Sequence, residues 1–381
     1  MSWDDLTGQE EAVATLRAAA AGEGLTHSWL LTGPPGSGRS VLAYAFAAAL
    51  IARPGEEAET EAQVAARTHP DLGVLSTEGV IIRRKEVTDF VASSYYSPSV
   101  GRYRVMVIED ADRMTEITSN VLLKALEEPP PRTVWILCAP SDADLLPTIR
   151  SRVRTVRLRM PGVDEVAELI ARRDGVPLPD ATRAAREAQS HVGMAHRLAT
   201  NAEARERRAR TLQLALGIRS VSGAVLAAAE LLEVATADAR AITEERDAEE
   251  RAHALRSLGV EPGGTVPPAL RAQLKALEED QKRRATRSLR DGLDRILVDL
   301  LSLYRDILML QLDAGLDPVN LAIYSDLEEA ARACTAVETL ATLDAITTAR
   351  TRIEGNVAPA LALEAMLVTA VRTPAASTGK A

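Results

Sequence analysis

The stretch that decides the fold is the glycine-rich segment Gly33-Pro34-Pro35-Gly36-Ser37-Gly38-Arg39-Ser40. Its spacing is that of a Walker A loop, G-x-x-x-x-G-K-[ST], with Arg39 in the place of the lysine. The apolar run 28–31 precedes it and the alanine-rich run 41–51 follows it, which is the order strand, loop, helix. Glycines in such a loop let backbone N–H groups converge on phosphate oxygens at the start of a helix. The segment predicts a phosphate site, and a chance glycine-rich loop is the alternative.

A second pattern is the apolar run 105–108, which is followed by Glu109 and Asp110 and resembles a Walker B strand. In active ATPases of this kind an Asp at the strand end helps to hold Mg²⁺, and the following Glu orients water. Here the two acids are exchanged, which shifts each carboxylate by about one methylene, and such misplacements slow catalysis strongly. Ser40 and Glu109 are the expected Mg²⁺ ligands. A purely structural role for the acids is the alternative.

The order of the remaining segments predicts an α/β region followed by an all-α region. Runs 105–108 and 134–138 are continuously apolar, as in strands that are buried on both faces of a parallel sheet. After residue 160 helical periodicity dominates, and it is clearest in an apolar stripe formed by Leu289, Leu293, Ile296, Leu297, Leu300, Tyr304, Ile307 and Leu308. The charge-rich runs 244–251 and 278–290 flank the breaker cluster 259–268, which predicts solvated helix faces joined by a flexible loop.

Composition excludes several classes of protein. The 381 residues carry a net charge of −9, which argues against a free-standing nucleic-acid binder with a basic face. The N-terminus does not resemble a signal peptide and no run of about 18 apolar residues occurs, so a cytoplasmic location is expected. Cys138 and Cys334 are the two cysteines, too few for a structural zinc site, and Cys138 is expected to be a buried small hydrophobe.

Further segments extend these motifs to a family resemblance that covers about residues 1–200. They are WDDLTGQE at 3–10, HSWLLTG at 27–33, THPD at 68–71, NVLLKALEEPP at 120–130 and LLPTIRSR at 145–152. In these segments the chain resembles the AAA+ subunits of bacterial DNA polymerase III clamp loaders. The resemblance implies a P-loop AAA+ module at 1–160, a small helical lid at 161–205, a helical collar for oligomerisation at 206–372, and a disordered tail at 373–381.

Within this family the departures favour the stator-like, delta-prime kind of subunit over the gamma/tau motor subunits. Arg39, the Glu109-Asp110 order, and Ala139-Pro140 in the place of a polar sensor all affect the hydrolysis machinery. Arg152 matches the family's arginine finger, which would complete the ATP site of a neighbouring motor subunit. Such a subunit is expected to have little or no ATPase or polymerase activity of its own. Arg197 is a candidate second sensor, and an ordinary surface arginine is the alternative at either position.

The resemblance also implies ligands and partners. The candidate ligand is ATP or ADP with Mg²⁺, and sequence leaves open which nucleotide, if any, is bound. Many relatives carry four cysteines in the segment that corresponds to 52–68, but this chain has none there, so no zinc is expected and His69 is expected to be a packing residue. The implied partners are the delta and gamma/tau subunits, with the sliding clamp and primed DNA reached through the complex, and no membrane. An active motor subunit, or a nucleotide-responsive adaptor outside replication, remains as an alternative.

Overall fold

The computed structural model describes residues 3–77, 81–257 and 271–371. The chain forms two compact units, Met1–Thr200 and Asn201–Ala381. Among the described residues, no helix is both long enough and apolar enough to cross a bilayer. The predicted tail at 373–381 and the breaker cluster at 259–268 lie outside the described residues.

A five-stranded parallel sheet forms the centre of the first unit. Its strands are β1 (Ser28–Thr32), β2 (Leu72–Leu75), β3 (Arg104–Ile108), β4 (Thr133–Ala139) and β5 (Arg154–Arg157), in the spatial order β2-β3-β4-β1-β5. Every residue of β1 and β4 is buried, and so is every residue of β3 after Arg104. The predicted α/β region with strands buried on both faces is therefore confirmed.

Helices cover both faces of this sheet. They are α1 (Glu10–Ala20), α2 (Arg39–Ile51), α3 (Glu57–Ala65), α4 (Arg84–Ser94), α5 (Glu116–Glu127) and α6 (Pro147–Arg150). Because neighbouring strand residues point to opposite faces, Trp29 and Leu31 pack in a core with α1 and α2, whereas Leu30 packs in a second core with α4 and α5. The P-loop helix α2 is thereby fixed against β1, β3 and β4.

Three short helices complete the first unit: α7 (Val163–Asp174), α8 (Leu178–Glu187) and α9 (Val192–Thr200). The first of them begins with a Glu165 carboxylate that accepts the N–H of Gly162, and it ends at Gly175 in the left-handed conformation. Buried Val166, Leu169 and Ile170 line its inner face. These helices occupy the region for which a small helical lid is predicted, and the exact domain boundaries stay predictions.

The second unit is entirely helical in its described part. It contains α10 (Ala202–Leu216), α11 (Val221–Ser257), α12 (Arg271–Gln311), α13 (Tyr324–Ala333), α14 (Ala336–Glu354) and α15 (Pro359–Thr369). The predicted apolar stripe of α12 lies at the centre of its core, and all its members are buried except the partly buried Leu289. Helical periodicity thus predicted the main packing face of this unit.

Charges in the long helices α11 and α12 join the two helices to each other. Asp247 accepts a hydrogen bond from Arg284 at 2.6 Å, and Asp238 accepts one from Arg295 at 2.8 Å. Because the earlier residue of α11 pairs with the later residue of α12, the two helices run antiparallel. Asp238 is also within 3.0 Å of Arg207 of α10. The sequence predicted solvated helix faces for the runs 244–251 and 278–290, but Asp247 and Arg284 of these runs lie between the two helices. The difference arises because charge runs alone do not reveal which residues face a neighbouring helix.

Candidate functional site

The glycine-rich loop connects the buried end of β1 to the start of α2. Gly36 and Gly38 have φ of +85° and +96°, a left-handed conformation that glycine adopts without strain. The loop is closed by two backbone hydrogen bonds, from Gly33 N–H to the Pro140 carbonyl at 3.2 Å and from Ser37 N–H to the Pro34 carbonyl at 3.1 Å. Its turn directs the N-terminus of α2, with its free N–H groups, toward any bound anion.

Two side chains of the loop have buried polar atoms that fit a phosphate group. Ser37 Oγ and Arg39 Nη1 are buried and have no hydrogen-bond partner among the described residues. A buried donor without an acceptor is costly, and phosphate oxygens are strong acceptors. The residues of the loop therefore fit the phosphates of a nucleotide, with Arg39 as the cation.

His191, which was not predicted from the sequence, packs on the loop. A Cβ atom built on Gly36 would lie 2.4 Å from Cγ of His191, so the imidazole rests directly on this glycine. The ring is held in turn because its Nδ1 accepts the N–H of Met194 in the first turn of α9. Gln189 and Ser190, with φ of +50° and +64°, form the tight turn before it. Nothing in the spacing of the sequence marks His191 as a neighbour of the P-loop.

The acid at the end of β3 is engaged by two donors from its own chain. Glu109 Oε1 accepts from the Tyr44 hydroxyl at 2.5 Å and from Arg67 Nη2 at 2.8 Å. The Arg67 guanidinium also lies over the Tyr44 ring, 5.2 Å from its centroid. Burial, followed by the charge of Glu109, raises the pKa of Tyr44 far above its usual value, so the hydroxyl keeps its proton and donates. Neither Tyr44 nor Arg67 was predicted from the sequence.

This arrangement bears on the expected Mg²⁺ ligands, Ser40 and Glu109. The Glu109 side chain is only 15% exposed, and its Oε1 already has a cation and a hydroxyl as partners. A divalent ion at the same carboxylate would lie beside the Arg67 guanidinium, and like charges at such distances repel strongly. Oε1 of Glu109 is therefore occupied in this conformation, and the roles of Ser40 and Glu109 as Mg²⁺ ligands stay predictions.

Asp110 and Asp112, the two acids that follow Glu109, also interact with charged neighbours. Asp110 Oδ2 lies 3.9 Å from Nε of Arg113, in the turn after β3. Burial raises the pKa of Asp112, and a backbone hydrogen bond and the charge of Arg113 partly oppose that rise.

The sensor position at the end of β4 carries no polar side chain. Ala139 is fully buried and pairs with Thr32, the last residue of β1, directly beside the loop. The preceding Cys138 is also fully buried, and burial raises the pKa of its thiol to about 12. Its predicted role as a small buried hydrophobe is confirmed. The position at which the family resemblance implies a polar sensor therefore carries a buried methyl group.

The candidate arginine finger, Arg152, follows α6 and is held by its own chain. Its Nε and Nη2 lie 2.7 and 2.6 Å from Oε1 of Glu127, at the end of α5. Its Nη1 donates to the Thr148 carbonyl at 2.7 Å and to the Ser151 hydroxyl at 3.0 Å. With 34% of its side chain exposed, Arg152 lies at the surface. The role of Arg152 as a finger stays a prediction.

The candidate second sensor, Arg197, lies on α9, the helix whose first turn follows His191. Arg197 is half-buried, and its neighbour His196 contacts Asp174 through Nδ1 at 2.7 Å. Burial alone would raise the pKa of Asp174, but hydrogen bonds from Arg173 and His196 outweigh it and lower that pKa. Arg197 thus lies on the helix that follows His191, and its sensor role stays a prediction.

The His-Pro-Asp segment at 69–71 has a structural role. Asp71 is fully buried and accepts four hydrogen bonds, from the N–H and hydroxyl of Ser99 and from the N–H groups of Val100 and Gly101. His69 is 5% exposed, and its Nδ1 accepts the N–H of Asp71. Burial lowers the pKa of His69. The described residues contain no group of three or more His, Cys, Asp or Glu side chains that could hold a metal ion.

Taken together, the parallel sheet and the glycine-rich loop between β1 and α2 define a P-loop α/β module. A family described as DNA polymerase III, delta subunit, matches residues 8–161. Over this stretch the chain is similar to DNA polymerase III subunits named delta'.

Individual relatives include both kinds of subunit. DNA polymerase III subunit delta' of Pseudomonas aeruginosa is 38% identical over 162 residues, which are 40% of this chain and 48% of that protein. Subunit gamma/tau of Mycobacterium tuberculosis is 29% identical over 193 residues, 47% of this chain and 33% of that protein. The match thus spans about half or less of these two relatives. A solved gamma subunit-related protein of Thermotoga maritima has a TM-score of 0.44 at 17% identity, covering 94% of this chain and 98% of that one.

Proposed function

We propose that this chain is a stator-like, delta-prime subunit of a clamp loader, one that binds nucleotide phosphates but hydrolyses nucleotide poorly or not at all. The proposal extends to the whole chain the family similarity that the match finds over residues 8–161. Delta and gamma/tau subunits would be its partners. Through them it would help to place the sliding clamp on primed DNA, which agrees with a chain whose net charge of −9 does not favour binding DNA alone.

The observation that supports poor hydrolysis best is the state of the two strand ends beside the loop. At the end of β3, Glu109 is engaged by Arg67 and Tyr44, and at the end of β4 the buried side chain is Ala139. ATP hydrolysis needs a metal-holding acid, a residue that positions water, and donors to the transferring phosphoryl group. Phosphate binding needs only the loop amides and Arg39, whose buried donor supports it.

Arg152 gives such a subunit a part in catalysis by its neighbour. A guanidinium placed beside the γ-phosphate of an adjacent motor subunit stabilises the charge that develops in the transition state. Arg152 lies at the surface of the first unit, and its ion pair with Glu127 keeps the side chain ordered. We infer that assembly moves this guanidinium from Glu127 to the neighbour's phosphate.

The finger is tested in the reconstituted complex of the same organism's delta, delta-prime and gamma/tau subunits. We expect Arg152→Ala to lower the DNA-stimulated ATPase rate by about tenfold or more, since trans arginines contribute large factors. Arg150→Ala is the matched control, because Arg150 is an exposed arginine at the end of the short helix that precedes Arg152. An unchanged rate in Arg152→Ala would refute the finger.

The alternative is an active motor subunit, which the gamma/tau relatives keep open. A phosphate-release assay on the isolated chain, with and without primed DNA, separates the two functions. If the chain is a stator, we expect its phosphate release to be no faster than that of a control variant without the P-loop. Steady, DNA-stimulated turnover would support the motor subunit and overturn the stator.

A further inference from the structure

Glu109, the acid to which the Walker B pattern assigns metal binding, forms an ion pair with Arg67. Arg67 reaches Glu109 from the loop after α3, with 2.8 Å between Nη2 and Oε1. Arg67 is itself placed by an unusual backbone, with φ of +58°, a left-handed value that residues other than glycine seldom adopt. Backbone strain of this kind persists where the surrounding contacts hold a residue in place.

Tyr44 connects this ion pair to the P-loop helix. It lies four residues after Ser40 on α2, and residues at this spacing share one face of a helix. Its hydroxyl donates to the same Oε1 atom, and its ring lies under the Arg67 guanidinium. Tyr44 is buried and Arg67 is about half exposed, so Arg67 covers the cluster from the solvent side. The three side chains form a closed set of contacts on the side of α2 that faces the end of β3.

We propose that Arg67 takes the place of Mg²⁺ as the counter-ion of Glu109, so that this chain binds nucleotide without a divalent cation. The proposal rests on the nucleotide binding proposed above and specifies its ionic requirement. The negative charge of the phosphates would be met by the loop N–H groups, the N-terminus of α2 and Arg39. The negative charge of Glu109 would be met by Arg67, so this carboxylate would not recruit the metal.

The test is the affinity for ADP, measured by calorimetry on the full chain in excess EDTA and in excess Mg²⁺. For the natural sequence we expect the two dissociation constants to agree within about threefold, because the metal gains no ligand from Glu109. For Arg67→Ala we expect Mg²⁺ to tighten ADP binding by about tenfold, because the released carboxylate can then take part in holding the metal.

Three further variants serve as controls. Arg53→Ala is the matched control, since Arg53 is an exposed arginine just before α3, and it should behave as the natural sequence does. Tyr44→Phe removes one donor to Glu109 but leaves the Arg67 ion pair, so the metal dependence should stay small. If Arg67→Ala loses its native circular dichroism spectrum, Arg67→Gln keeps the side-chain volume without the charge.

The outcomes separate this inference from the proposed function. ADP binding that is abolished by EDTA in the natural sequence would overturn the inference and leave nucleotide binding standing. Equal metal independence in the natural sequence and in the folded Arg67 variants would also overturn it, because Arg67 would then be irrelevant. An absence of ADP binding in both buffers would refute the proposed nucleotide binding, and the inference with it.

Discussion

At Arg39 a guanidinium stands where the spacing of the loop specifies an ammonium. The exchange is not conservative, because a planar fork and a compact point charge meet phosphate oxygens differently. It is nevertheless one of several changes, since Glu109 is engaged by Arg67 and the buried Ala139 offers no donor. In the proposed function, phosphate binding and phosphate cleavage would therefore depend on different residues of this site.

We expect Arg39→Lys alone to leave ATP turnover at the background level, because the metal-binding acid and the sensor remain altered. The measurement is phosphate release by the isolated variant under saturating ATP and Mg²⁺. The comparison is the triple variant Arg39→Lys, Glu109→Asp, Asp110→Glu. In this variant the side chain at position 109 is shorter by one methylene, which moves its carboxylate away from Tyr44. A large rise in rate from Arg39→Lys alone would show that the lysine is the single missing part.

A second prediction concerns Glu127, which holds Arg152 in the isolated chain. In the reconstituted complex we expect Glu127→Gln to raise the ATPase rate by up to about fivefold, since a surface ion pair contributes at most about 1 kcal/mol. The Gln keeps the volume but removes the competing charge. A fall in rate as large as that of Arg152→Ala would show instead that Glu127 positions the finger for catalysis.

Several residues of the site could be predicted from the sequence, and others could not. The loop from Gly33 to Ser40 and the acids at 109 and 110 stand in local patterns whose spacing has a direct physical meaning. Tyr44 carries a faint signal, four residues after Ser40 on the same helix. Arg67 and His191 carry none, because their contacts depend on how separate helices meet the sheet.

At the scale of elements, the segment 99–101 depends on one buried carboxylate. Asp71 lies just before β2 and accepts three backbone N–H groups of that segment. Burial alone would raise the pKa of Asp71, but these donors outweigh it and lower the pKa. A depressed carboxylate pKa stabilises the fold fully above the pKa of the unfolded chain, and this contribution disappears as pH falls through the pKa of the folded state.

We therefore expect Asp71→Asn to cost about 3 kcal/mol at pH 7, because buried N–H donors lose a charged acceptor. The difference should persist to about pH 5 and shrink below about pH 4, where the aspartate of the unfolded chain takes up its proton. Urea unfolding at pH 7, 5 and 3.5, followed by tryptophan fluorescence, measures it. A difference that is constant over this range would contradict the role of the charge.

The contact between the loop and α9 gives another prediction at this scale. Gly36→Ala places a methyl group 2.4 Å from the His191 ring and also strains a residue whose φ is +85°. We expect a loss of about 2 kcal/mol in the free energy of unfolding. Adding His191→Ala should restore the part of this loss that comes from the steric clash. A double-mutant cycle measured by thermal unfolding separates the steric clash from the backbone strain. Full additivity of the two changes would show that the ring does not press on the loop.

At the scale of the whole molecule, each unit has cores of its own. The two cores of Met1–Thr200 lie on the faces of the sheet, and that of Asn201–Ala381 surrounds the stripe of α12. Both arrangements could be predicted, since continuous apolar runs and helical periodicity are strong local signals. The pairing of Asp238 and Asp247 with arginines of other helices could not, because it depends on the register between helices.

We expect residues 1–200 to fold without the rest of the chain. The three tryptophans, at positions 3, 29 and 135, all lie in this part, and Trp29 and Trp135 are fully buried. The fragment should therefore keep the blue-shifted emission of the full chain, and guanidinium should shift it to the red in one cooperative step. Red-shifted emission in buffer would show that the first unit needs residues beyond 200.

The four contacts of Arg152 within its own chain have a consequence for how neighbours are recognised. In the proposed clamp loader, Glu127 would compete with any phosphate that a neighbouring subunit presents, so the guanidinium would change partner only when the neighbour offers more negative charge than one carboxylate. A γ-phosphate would meet that condition better than a site holding ADP, which lacks this group. The ion pair would thus set a threshold, and it would make this chain responsive to its neighbour's nucleotide state.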